Sequence, residues 1–111
     1  MRYSLTKIIN FYSVDSFNVL NLEYTVSSFV KPIIYKPSQE YFVGGSLSDY
    51  YTFVIRYLED INLNMIIEYD GNFFEIKRIY DQDQSKKYLN LTTIKKIDHS
   101  YYYDQHLEME I

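Results

Sequence analysis

The sequence contains no Cys, which excludes disulfides and thiolate metal sites and is what a reducing compartment favours. It contains no Ala either. Ala is the best helix former, so its absence argues against a helical fold. Only two His are present. His99 and His106 sit close to the end of the sequence and show no metal-ligand spacing. No long apolar run occurs, and the N-terminal KIINFY is too short for a signal-peptide core or a membrane span. A soluble, unexported protein with no membrane partner is therefore expected. Base is not in excess: the net charge is -4. The stretch 98–111 holds Asp98, Asp104, Glu108 and Glu110 and neither Lys nor Arg. The rest balances at 11 basic against 15 − 4 = 11 acidic residues. A neutral body with an acidic tail is a poor sequence-independent binder of phosphates.

Strand formers dominate what is there. Val, Ile, Thr, Phe and Tyr recur throughout, and Tyr alone occurs 14 times in 111 residues. Tyr buries its ring and keeps its hydroxyl wet, which suits strand faces, rims and subunit interfaces. One all-β domain over residues 1–97 is expected, followed by an acidic, Tyr-rich tail at 98–111 that folds only against a partner.

The chain is organised around residues 50–80, YYTFVIRYLEDINLNMIIEYDGNFFEIKRIY. Asp70-Gly71 between two β-rich runs predicts a hairpin with a two-residue type I′ turn. Tyr69 then pairs with Asn72, Glu68 with Phe73, Ile67 with Phe74 and Ile66 with Glu75, and Met65 faces Ile76. Ile79 breaks the alternation set by Phe74 and Ile76, so a bulge is expected near Lys77-Arg78.

Other strands are expected at 5–12, 24–35, 50–58 and 88–96, with a loop over 13–23. Both faces of the first strand carry apolar side chains, as if the core covered one and a neighbouring subunit the other. Pro32 has no amide proton, so the second strand bends there or lies at an edge. Arg56 stands among apolar neighbours and needs an acceptor, with Glu59, Asp60 or an acid of another subunit as candidates. Leu89 and Leu91 are expected to point inward. About six strands close economically into a small antiparallel β-barrel.

Residues 36–49, KPSQEYFVGGSLSD, form a long connection with an apolar tip in a Gly/Ser frame. Glu40, Tyr41, Phe42, Val43, Gly44 and Gly45 are its candidate functional residues. The other reading folds this loop back onto the core through Phe42.

Taken in order, FVIRYLEDI, MIIEYDGNFFEIKRIYD and YLNLT resemble the phage head–tail joining family, also called head closure or head completion proteins. Arg56, Tyr57, Asp60, Asp70, Gly71, Phe74, Ile76, Ile79, Leu89 and Leu91 carry the resemblance. The sequence departs from the family pattern at Leu58, where a basic residue is frequent, and at Leu63-Asn64, where a Gly is. The resemblance implies a small β-barrel that assembles as a homo-oligomeric ring of typically about twelve copies. That ring sits in the virion neck, having assembled in the host cytoplasm, between the portal/adaptor complex and the tail or a tail-completion protein. DNA passes through it without specific binding, and the free subunit can be a monomer. No cofactor is implied, and the carboxylates make no recognisable catalytic pair. Two alternatives stand beside this reading. One is a different neck component, an adaptor or tail-completion protein. The other is a small-barrel nucleic-acid-binding module that stacks bases on exposed Tyr.

Overall fold

The computed structural model describes residues 3–33, 50–81, 84–97 and 101–103. Among them the regular structure is β: β1 (Lys7–Val14), β2 (Val19–Pro32), β3 (Tyr50–Arg56), β4 (Ile66–Tyr69), β5 (Asn72–Asp81), β6 (Tyr88–Lys96) and β7 (Tyr102–Tyr103). The sheet runs β1-β4-β5-β6-β3-β2, and β1 also pairs with β2, so six strands close into a barrel-like ring. Every pairing in that ring is antiparallel. β7 joins the outside, parallel to β2.

The central hairpin has the register read from the sequence: Ile66↔Glu75, Ile67↔Phe74, Glu68↔Phe73 and Tyr69↔Asn72. Asp70 and Gly71 take φ of 52° and 78°, the two left-handed residues that a type I′ turn requires. The pairing of β5 with β6 slips between Ile76 and Arg78, where the bulge was expected.

The expected loop over 13–23 is corrected. Only 15–18 turn, while Ser13 and Val14 end β1 and residues from Val19 onward begin β2. The Asp15 carboxylate accepts the Phe17 and Val19 amides at 2.8 and 3.1 Å, and Asn18 adopts φ 62°. This local capping lets a short polar segment reverse the chain. The remaining polar residues are strand residues with wet side chains, such as Ser13, whose hydroxyl donates to Glu23 at 2.7 Å.

β2 is 14 residues long because it serves two partners. It pairs with β1 up to Ser28 and with β3 from Ser28 to Pro32. Pro32 therefore stands where β2 has no β1 neighbour, a position that tolerates a missing donor. Between Phe11↔Tyr24 and Tyr12↔Leu22 the register skips Glu23. Phe11 faces the main core and its neighbour Tyr12 the opposite face, as the pleat requires, and the skipped Glu23 lets Tyr24 pack on the core while Leu22, beside Tyr12, stays exposed.

The core lies inside the ring. Ile9, Phe11, Phe53, Ile55, Ile67, Phe74, Ile76, Leu89 and Leu91 are buried there together. Phe53 and Phe74 meet edge to face at 5.0 Å, with Tyr51 against Phe74 at 4.9 Å. A smaller cluster of Tyr12, Leu20, Ile66 and Phe73 lies on the outer face, with Val14 and Tyr101 packed on it. So the second face of β1 is covered in part by the chain itself, while Ile8 stays 60% exposed.

Candidate functional site

The residues singled out in the sequence fall into three places. Phe74, Ile76, Leu89 and Leu91 are buried in the main core, and Ile79 packs on it. They shape the barrel and present nothing to a partner. Asp70 and Gly71 form the exposed β4–β5 turn. Arg56, Tyr57 and Asp60 make a corner where β3 leaves the ring.

At that corner the Tyr57 amide donates to the Lys87 carbonyl at 3.0 Å, tying the end of β3 to the turn before β6. Asp60 accepts the Tyr24 hydroxyl at 2.6 and 2.5 Å. That hydrogen bond, with burial and the nearby carboxylate charge, raises the Tyr24 pKa above its ordinary value. Asp60 thus holds β2 to the segment after β3. It does not serve Arg56, which is exposed and pairs with no carboxylate among the described residues. The expectation that Glu59 or Asp60 pairs with Arg56 is corrected on this point: β3 ends at Arg56 and leaves its side chain in solvent, where its charge is hydrated. Arg56 instead borders an open cavity of about 230 Å³ lined also by Leu5, Val26, Ser27 and Leu58.

Glu40, Tyr41, Phe42, Val43, Gly44 and Gly45 lie outside the described residues. The roots of their segment are fixed: the Ile33 amide donates to the Tyr50 carbonyl at 2.9 Å. β3 starts at Tyr50, beside Ile94 of β6, and β6 ends at Lys96, beside Phe73 of β5. The roots therefore share one end of the ring with the Asp70–Gly71 turn, and the Arg56 corner lies at the other end. His99 and His106 are also outside the described residues, and no metal-holding cluster of His, Cys, Asp or Glu occurs among those described.

The outer face holds a cluster that sequence reasoning missed. Glu68, on β4, accepts Asn10 Nδ2 at 3.1 Å and the Tyr12 hydroxyl at 2.9 Å through one oxygen, and the Tyr103 hydroxyl through the other. Burial alone raises its pKa, but the hydrogen bonds from Tyr103, Asn10 and Tyr12 outweigh that and hold it below the ordinary carboxylate value. Burial and the same carboxylate push Tyr12 up to about 12 and move Tyr103 upward too. Beside it Tyr101 covers the outer cluster, its ring 5.5 Å from Phe73 at 70°. The Tyr102 amide donates to the Asn18 carbonyl at 2.9 Å. Tyr101, Tyr102 and Tyr103 of the expected tail thus lie against the barrel. No local signal marks Glu68, because its partners stand 58, 56 and 35 residues away.

The cluster carries a pH prediction. A carboxylate with a depressed folded pKa adds stability above its unfolded value and loses it as pH falls through the folded one. Tyr12, raised from 10.0 to about 12, adds stability below pH 10 that is lost as pH climbs through that window. Glu68→Gln should remove the acid-side part and cost about 1–2 kcal/mol at neutral pH, since hydrogen bonds to a charged acceptor become neutral ones. Urea denaturation from pH 3 to 7 checks this. Identical acid-side slopes for the variant and the parent would contradict it.

A search of curated proteins finds no match. A family model described as phage head completion protein matches residues 23–96. That match runs from within β2 to the last residue of β6, and it includes Arg56, Tyr57, Asp60 and the Asp70–Gly71 turn. The chain belongs to the phage head completion protein family, a structural component of phage heads.

Proposed function

We propose that the chain is one subunit of a homo-oligomeric ring in the neck of a tailed phage or prophage. The ring closes the DNA-filled head on its portal/adaptor side and offers a docking surface to the tail or a tail-completion protein. The family match across residues 23–96 carries this reading. The barrel is compatible with it. Its two ends differ, with the roots of residues 34–49 at one and the Arg56 corner at the other. Exposed Ile8, Leu22 and Tyr80 dot its outside, as contacts between copies would need. In this reading residues 1–97 are the ring-forming domain, and the segment with Glu40, Tyr41, Phe42, Val43, Gly44 and Gly45 is the part nearest the channel. A body without excess base suits a conduit through which DNA must slide, because each neutralised phosphate strengthens binding.

Deleting the gene in its phage and imaging particles by negative-stain electron microscopy, with a DNA-retention assay, tests the proposal. Tailless heads that lose DNA, beside finished free tails, are expected. Heads that hold DNA but carry defective tails would assign the chain to the tail side. Fully infectious particles would overturn a neck role and favour the small-barrel binding module.

A further inference from the structure

β2 has an edge that the described strands leave partly unpaired. Over residues 21–27 it is paired with β1 on one side, and no strand among those described pairs with it on the other. β3 takes that other side only from Ser28 onward, and β7 takes it only at Val19 and Leu20. Leu22 on this stretch is 58% exposed. Open edges template pairing with foreign strands, and folded proteins usually cover them.

We infer that this edge is a strand-docking site whose occupant is the chain's own segment 104–111. Three observations carry the inference, and it does not depend on the ring. First, β7 runs parallel to β2 in the register Val19↔Tyr102 and Leu20↔Tyr103, so the chain leaves Tyr103 heading along the open edge. Parallel strands advance together at about 3.3 Å per residue, which brings 104–110 level with 21–27. Second, Leu107, Met109 and Ile111 alternate with Glu108 and Glu110, the period of a strand with two different faces. Third, charge and shape match at the far end. Register continuation sets Glu110 level with Ser27, and Ser27 lines the cavity with Leu5, Val26, Leu58 and Arg56, which pairs with no carboxylate among the described residues. The acidic segment thus meets that cation and an apolar recess for a side chain. The docked segment caps the edge, and any outside strand must displace it.

Hydrogen exchange read by mass spectrometry tests this on the full chain and on a chain ending after Tyr103, which keeps every described element. Within 21–27, the amides that point away from β1 should exchange at least about tenfold faster in the shortened chain, with β3 and β6 unchanged. In the full chain Glu110→Lys should lose part of the protection, and Arg56→Glu combined with it should restore it. Equal exchange in the two chains would overturn docking, and absence of rescue would overturn the Arg56 contact. Protection that grows with concentration alongside a dimer in light scattering would overturn docking within one chain and give the edge to a second copy.

Discussion

Phe53→Ala should lower the unfolding free energy by about 3–5 kcal/mol, the range for emptying a buried aromatic site. Phe53 is fully buried near the middle of β3 and packs edge to face on Phe74 at 5.0 Å and on Tyr69 at 5.9 Å. Both walls of the cavity left behind belong to a closed ring. β3 is held by β2 and β6, and β5 by β4 and β6. Such a site collapses poorly, which puts the loss at the upper end. For a domain whose whole stability is about 5–15 kcal/mol, this leaves little or nothing. Urea denaturation measures it, with Ile8→Ala as comparison, because Ile8 is 60% exposed and should cost about 0.5 kcal/mol or less. A Phe53→Ala loss no larger than that of Ile8→Ala would place the core elsewhere.

Gly71→Val should cost about 1–2 kcal/mol or more, entirely through the backbone. A Cβ at Gly71 would have nothing within 4 Å, so space is not the issue. The cost arises because φ is 78°, in the left-handed region, where a β-branched residue is strained. Gly71→Asn should cost much less, since Asn tolerates that region. The pair separates conformation from crowding: two losses of equal size would mean that the turn is not type I′. If the hairpin rearranges instead, cross-peaks between the Ile67 and Phe74 amide neighbourhoods vanish in NMR spectra of Gly71→Val and persist in those of Gly71→Asn.

Much of the fold was legible because local chemistry and distant packing agree in it. Asp70-Gly71 states a turn, the turn fixes register, and register decides that Ile67 and Phe74 face inward. The bulge near Lys77 was readable for the same reason, from one step out of parity at Ile79. Residues 13–23 read as a loop although most of them are strand, because Asn, Ser and Asp serve turns and wet strand faces alike. The features at the surface depend on residues far apart in the chain. Nothing around Glu68 announces that Tyr12 and Tyr103 will donate to it. Nothing around Arg56 tells whether Asp60 will serve it or Tyr24.

The closure of β1 on β4 also bears on the order in which the ring is expected to fold. The β4–β5 hairpin forms through a two-residue turn and can be made in microseconds. Pairing Asn10 with Glu68 instead closes a span of 58 residues. The entropy of that closure must be met before any of its contacts form, and it grows with the logarithm of the span. The β4–β5 and β1–β2 hairpins are the local pairings, each closed by a short turn, and the β1–β4 seam closes the longest span of the ring, so it is expected to seal last. Topologies of this kind fold in milliseconds to seconds. During that interval Phe11 and Ile67 face each other across an open seam. A newly made subunit is thus most exposed to mispairing just before its seam closes.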